Sequence, residues 1–407
     1  MAKYISLYKI GSFFITAFIL LSSGCADTHQ PPEKTITVES PNSNPLPLNI
    51  QDQSKDTPKP DIPDIVLKQR IVTFPKDHVY GQIRIGKWDP NNLWGILNVD
   101  KPSGDVNVPA GYILSLVYTK GVDVDMRVLA SMGPDDIQSL IIPGAEINDV
   151  NFANVEHLTG LLALNMIAVP VTDIGFNSVS RLPNLRILLA DGVPITDAGL
   201  IALENLDHLE VLRLTHTMIT DDGLKHIARI KNLKYLGLSA TSITNKGLEY
   251  LETLDNLESL DLSVSKISDG FVKPLIKLKK LKTLYLGSTP ITDTSLRDID
   301  NLKNLTYLNL RLTSVGDAGL EHMKNSRSIT KLNLTKTRIS DEGLKYIKDL
   351  PNLRELILNQ TAITDKGIEY IRQMPSLNRL FLLDTLVTKN GIDELLKYKP
   401  NCVYRLK

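Results

Sequence analysis

The sequence has little of what builds a disulfide scaffold, a nucleic-acid-binding protein or a familiar active site. Its 407 residues include two cysteines, Cys25 and Cys402, near opposite ends of the chain, which excludes a disulfide framework. Basic and acidic side chains balance at 46 each, so there is no global positive field of the kind that non-specific nucleic-acid binding uses. The seven histidines show no metal-ligand spacing. No G-x-S-x-G, phosphate-cradling glycine loop or nucleophilic cysteine–histidine pair is present, so neither an enzyme nor a cofactor is expected. Tryptophan is limited to Trp88 and Trp94, which read as core residues.

Long apolar runs are missing too. The run from Ile10 to Leu21 spans 12 residues, too short to cross a bilayer as a helix but suited to the core of a signal peptide, with Lys3 and Lys9 before it. The "LSSGC" that follows resembles the lipobox of bacterial lipoproteins. That resemblance implies a signal peptide over residues 1–24, cleavage after Gly24 and lipidation of Cys25. The expected location is outside the cytoplasm, lipid-anchored to a bacterial membrane on its periplasmic or cell-surface side. Ala26 stands where some bacteria place the aspartate that holds lipoproteins at the inner membrane, which leaves the outer membrane open. Residues 25–69 are polar and proline-rich, as in "PNSNPLPLN" and "DTPKPDIPD", and read as a tether carrying the lipidated cysteine.

What the chain has in abundance is leucine, in strict order. Residues 70–136 first alternate short apolar runs with turn signals such as "DPNN" and "KPSG", then carry a short helix at "DMRVLASM"; this β-rich segment reads as a cap. Over residues 137–407 a 24-residue period holds without insertion or deletion through eleven repeats, from Ile137 and Leu161 to Leu377, and a half repeat "NCVYRL" closes the array. The fourth residue of every repeat is leucine, from Leu140 to Leu380, and the sixth is leucine from Leu214 onward. This L-x-x-L-x-L pattern is the signature of the leucine-rich repeat. It predicts an α/β solenoid with a curved parallel β-sheet inside and helices outside.

Physical chemistry explains the unit. In "LEVLRLTHTMIT" the period-two pair Leu212 and Leu214 predicts a strand with one face inward. Thr220 is placed to N-cap a helix whose first turn holds Asp221 against the positive end of the helix dipole. Leu224, Ile227 and Ile230 then lay an apolar stripe over about two turns. One unit buries too little to fold alone, so the strict period is a stacking requirement.

Ten of eleven repeats carry Asp or Asn at position thirteen. One carboxylate per turn beside a helix start reads as a cap rather than a calcium site, which needs about six to eight oxygens. Position nine carries a hydroxyl in Thr217, Thr241, Ser265, Thr289, Thr313, Thr337, Thr361 and Thr385, expected to bond backbone groups where the chain leaves the strand. Ala145, Val169 and Val193 stand there in the first three repeats, whose turns need another support. Pro274 and a shifted Gly270 in the sixth repeat, and Gly316 and Ser326 in the eighth, predict local loosening of the helical side.

The "T-x-I-T-D-x-G-L" turn resembles the repeats of F-box leucine-rich-repeat proteins and of bacterial leucine-rich-repeat proteins with the same helix-type unit. The resemblance implies a surface that binds a protein, without catalytic residues of its own. A ubiquitin-ligase adaptor is the less favoured version, because nothing N-terminal looks like an F-box helix bundle. Positions two, three, five, seven and eight are expected on the concave face. In the central repeats they present Tyr235, Tyr285 and Tyr307 near Arg213, Asp261, Asn309, Arg311 and Asn333, and tyrosine and arginine are the usual anchors of protein interfaces. A carbohydrate partner is less expected, since the array has no tryptophan. The alternative is a structural envelope spacer or a self-associating surface protein.

Overall fold

The computed structural model describes residues 68–74, 82–87, 98–99, 104–118 and 126–405. The expected signal peptide, Cys25, nearly all of the tether, Trp88 and Trp94 lie outside the described residues.

Strands β1 (Arg70–Phe74) and β4 (Gly104–Val108) pair antiparallel as a two-stranded sheet. The other strands form one sheet of 15. At one edge lie β3 (Asn98–Val99), β2 (Gln82–Lys87) and β5 (Tyr112–Val117). Then come β6 (Ser139–Ile141), β7 (Ala163–Asn165), β8 (Ile187–Leu189), β9 (Val211–Arg213), β10 (Tyr235–Gly237), β11 (Ser259–Asp261), β12 (Thr283–Tyr285), β13 (Tyr307–Asn309), β14 (Lys331–Asn333), β15 (Glu355–Ile357), β16 (Arg379–Phe381) and β17 (Val403–Arg405), in chain order. Parallel pairing runs from β5 to β17, with each residue facing the one 24 positions on, as Tyr235 faces Ser259.

The β-rich segment is therefore continuous with the array. Ser115 faces Ser139 in the common register, so the period begins one strand before Ile137, while β2 and β3 pair antiparallel at the edge. Val72, Phe74 and Val108 join Leu114 and Leu116 in the same apolar core that runs through the repeats.

Each repeat contributes its inward row to that core. In the fifth, Leu233, Leu236, Leu238, Ile243, Leu248, Leu251 and Leu254 are all fully buried. Burial of this kind stabilises by about 1.5–3 kcal/mol per side chain, and it is complete only with a neighbour on each flank.

After three strand residues the chain turns through position eight, which takes a left-handed backbone in every repeat. Glycine fills it at Gly144 and Gly192, but nine non-glycine residues do so too, among them His216, Val264 and Leu312 with φ of 63°, 57° and 59°. Position eight thus forms the turn instead of pointing out of the sheet as expected. Its N–H bonds the next repeat, as Val264 does the Gly287 carbonyl at 2.8 Å, and this ladder holds the strained geometry. The position-nine hydroxyls of Thr217, Thr241, Ser265, Thr289, Thr313, Thr337, Thr361 and Thr385 each donate to the position-six carbonyl of their own repeat, at 2.5–2.9 Å. In the first three repeats the backbone N–H of Ala145, Val169 and Val193 donates to that carbonyl.

The helical side is slimmer than the apolar stripe predicts. The fourth repeat has a 3₁₀ turn, Asp221–Gly223, and one α-turn, Leu224–Ile227, in place of two α-turns. An α-helix with side chains is about 10–12 Å across, whereas strands stand about 4.8 Å apart, so thin 3₁₀ segments stack at the strand spacing with less splay.

Asp221 does more than face its own helix dipole. Its two oxygens accept the N–H and the hydroxyl of Thr244 in the next repeat, at 2.8 and 2.6 Å. The Thr244 hydroxyl accepts in turn from Lys246 N–H, capping the following helix. The same clasp links Asp149 to Thr172, Asp173 to Thr196, Asp197 to Thr220, Asp317 to Ser340, Asp341 to Thr364 and Asp365 to Thr388. A second inter-repeat bond runs from position 24: Asn232 donates to the Asp207 carbonyl at 2.7 Å, and Asn352 to that of Arg327 at 2.8 Å.

The two irregular repeats are bonded where loosening was expected. Asn245 accepts from Ser268 N–H at 3.0 Å and donates to the Asp269 carbonyl at 2.8 Å. Pro274 lies in the first turn of the helix Val272–Leu275, where an N–H has no intrahelical partner to lose. In the eighth repeat Gly316 N–H donates to Asp293 at 2.6 Å, and the buried Ser326 hydroxyl bonds Asp300.

Candidate partner-binding face

The stacking described above consumes the inward side chains and the turns. It leaves positions three and five of each strand on the open face of the sheet, opposite the helices. This face changes character along the array. At the β6 end it is apolar and buried, with Ile141, Ala163, Ile187, Leu189 and Val211. At the β17 end it is basic and aromatic: Arg379 pairs with Glu355 at 2.5 Å, and Arg379 and Arg405 flank the Phe381 ring at 5.7 and 5.8 Å.

Between them lies a tyrosine patch. Arg213, Gly237, Asp261, Tyr285, Asn309 and Asn333 are successive neighbours across β9 to β14, and Tyr235 and Tyr307 stand two residues before Gly237 and Asn309 on their own strands. The Tyr285 and Tyr307 rings meet edge to face, with centroids 5.2 Å apart and planes at 87°, a favoured aromatic geometry. Asn309 donates to the Tyr307 hydroxyl at 3.4 Å.

Polar groups at position five also serve the fold. Asp261, Asn309 and Asn333 each accept the N–H two residues on, from Ser263, Arg311 and Thr335, at 2.9–3.0 Å. These bonds close the strand ends. Arg213 forms an ion pair with Asp191, a residue the sequence reading passed over. Asp191 is the one acid at position seven in the array, and that singularity was the available signal. Arg311 stands apart from the patch: it follows the strand end, is exposed, and its guanidinium pairs with no carboxylate among the described residues.

Burial shapes the ionisation of the patch. It raises the Tyr235 and Tyr285 hydroxyls, helped at Tyr235 by the neighbouring Asp261 charge and at Tyr285 by Tyr307. It pushes Tyr307 up to about 12. All three are neutral hydrogen-bonding groups across the physiological range. Burial also raises the Asp261 carboxyl, against the bonds from Ser263 that favour its anion. Among the described residues no group of three or more His, Cys, Asp or Glu is placed to hold a metal ion, and no helix is long and apolar enough to cross a membrane.

The family model described as "Leucine-rich repeat region" matches residues 136–398. The chain belongs to the leucine-rich repeat family. Leucine-rich repeat proteins are typically non-catalytic and generally bind protein partners. Among solved structures this leucine-rich repeat chain is similar to an internalin from Listeria monocytogenes, 24% identical, covering 67% of this chain and 87% of that chain with a TM-score of 0.45. It is similar to a leucine-rich repeat protein of Leptospira interrogans, 19% identical, covering 72% and 83% with a TM-score of 0.49. It is also similar to the plant peptide hormone receptor RGFR1 in complex with RGF2, 14% identical, covering 67% and 55% with a TM-score of 0.41. No curated protein matches the chain.

Proposed function

We propose that this leucine-rich repeat array is a non-catalytic module that binds a protein partner on the open face of its sheet, held outside the cytoplasm by a lipid on Cys25. The observation that carries the binding reading is the patch of Tyr235, Tyr285 and Tyr307 on the central strands β10, β12 and β13. Stacking and turn closure account for the leucines, threonines and aspartates, whereas these three rings occupy positions that no repeat-to-repeat bond requires. Large amphipathic rings of this kind dominate protein interfaces. The anchoring half rests on the "LSSGC" motif after a 12-residue apolar run.

The test is affinity capture from envelope extract with the detergent-solubilised chain beside a Tyr235→Ala, Tyr285→Ala, Tyr307→Ala variant of matched thermal stability. A protein retained by the first and lost by the second supports the reading; capture that ignores the substitutions refutes it. Mass spectrometry of the mature N-terminus decides the anchor, which requires a lipid-modified Cys25 that a Cys25→Ser variant lacks. The structural reading has one observation in its favour, the exposure of Val403 and Tyr404 on β17, which is an edge strand among the described residues. Self-association through that edge would appear as concentration-dependent mass in solution.

A further inference from the structure

We propose that Asp261, walled by the rings of Tyr235 and Tyr285, is the receptacle for one positively charged side chain of the protein partner. The inference rests on the reading that the open face binds a protein, and it adds the chemistry of what is recognised.

The open-face and flanking positions of the array (two, three, five and seven) carry five acids: Asp191, Glu210, Glu258, Asp261 and Glu355. Four have cations. Asp191 pairs with Arg213, Glu210 with Arg186 and Lys234, Glu258 with Lys282 and Glu355 with Arg379. Asp261 pairs with none among the described residues, although it is 8% exposed and Arg213 stands two strands away. Among the described residues its carboxylate bonds Ser263 alone, whose N–H donates at 2.9 Å.

The reason is a glycine. Gly237 separates Arg213 from Asp261 in the row, and the Tyr235 ring folds over it: a Cβ on Gly237 would meet Tyr235 Cε1 at 3.3 Å and the hydroxyl oxygen at 3.6 Å. The ring fills the gap between the two charges. Arg213 turns the other way, to Asp191, and its stem too lies against Gly237, with Cγ at 3.3 Å from that Cβ position. On the far side Asp261 faces Tyr285 in register, and Tyr285 is braced edge-on by Tyr307.

The result is a carboxylate at the floor of two aromatic walls. Such a site suits a lysine or arginine, whose apolar stem lies along the rings while its charge meets both the aromatic faces and the carboxylate. A neutral or acidic side chain would leave the buried anion uncompensated. The raised Asp261 carboxyl agrees with a charge that the free protein does not satisfy.

The experiment uses the full chain in detergent, labelled with carbon-13 on its tyrosine rings, and four blocked amino acids: the N-acetyl methylamides of lysine, arginine, norleucine and glutamate. The lysine and arginine probes are expected to shift the Tyr235 and Tyr285 signals saturably, and their relative affinity separates ammonium from guanidinium recognition. Norleucine, with the stem but no charge, and glutamate are expected to leave them unmoved. Asp261→Asn should weaken the cationic probes at least tenfold while the thermal melt shows a folded chain. Equal shifts from norleucine, or unchanged lysine affinity in Asp261→Asn, would overturn the proposal. A partner captured by wild type and Asp261→Asn but lost by the tyrosine variant would keep the open-face reading and sink the cation site. A saturable lysine site with no captured protein would do the reverse.

Discussion

Asp221 and Gly247 are one device split between two repeats. The Asp221 carboxylate holds Thr244, and its Oδ1 occupies the space that a Cβ at Gly247 would need. The same contact recurs at Gly199, Gly223, Gly343, Gly367 and Gly391, each against the acid of the preceding repeat. Where the acid becomes Asn245 the glycine becomes Phe271, and where Ser295 replaces the glycine its hydroxyl bonds Asp269. Asp221→Ala should cost about 2 kcal/mol, for two hydrogen bonds to a charged acceptor, part exposed. Gly247→Ala alone should cost a similar amount through the clash. In the double variant the clash with the Asp221 carboxylate is gone and only the contact with Leu224 Cδ1 at 2.9 Å remains, so urea unfolding should show a coupling of at least about 1 kcal/mol. Strictly additive costs would separate the two residues.

Val264 stores backbone strain. It sits at φ 57°, where a β-branched residue is a true outlier costing about 1–2 kcal/mol, and its side chain is 55% exposed and loses little packing when replaced. Val264→Asn, which tolerates this backbone without glycine's entropy penalty, should raise stability by roughly 0.5–1 kcal/mol. Val264→Ile should give no gain. Thermal melts of the two variants decide it.

These two devices mark the limit of what the sequence discloses. Leucine spacing names the strands because burial selects side chains, and burial leaves a one-dimensional trace at periods two and 24. The Asp221 to Thr244 clasp spans 23 positions, so it appears in the chain only as a cap beside a helix start. The left-handed turn at position eight is written by the next repeat's carbonyl, not by its own residue, which varies from His216 to Leu312. The tyrosines were legible as a cluster because strand neighbours stand 24 apart. That Gly237 admits the Tyr235 ring and so isolates Asp261 was not, because it depends on which way one side chain folds.

Acid should loosen the junction of the sixth and seventh repeats only below about pH 4. Burial lifts the Asp269 carboxyl, but bonds from Ser295, Thr294 and Thr292 outweigh it and hold the group at about 2, below its ordinary 3.8. A depressed carboxyl contributes stability that is full above the unfolded value and lost as pH falls through the folded one. The stability gap between wild type and Asp269→Ala should therefore be constant above pH 5 and shrink between about pH 4 and 2. A gap that persists to pH 2 would mean the bonds do not depend on the charge.

Asp261 should behave in the opposite sense. Burial raises its carboxyl, so the folded chain favours the neutral form, and the associated stability is present below the unfolded value and lost as pH rises through the folded one. Among the described residues its anion has no cation, so Asp261→Asn should raise the melting temperature at neutral pH by a few degrees. The advantage should vanish below about pH 4, where the aspartate is itself neutral. Addition of the lysine probe should narrow the gap at pH 7 by stabilising wild type alone, because only the charged side chain gains a partner. An Asp261→Asn chain that is less stable at pH 7 would show that the carboxylate serves the fold. A more stable one places Asp261 among residues that lower stability in the free protein, as expected of a group whose complement arrives with a partner.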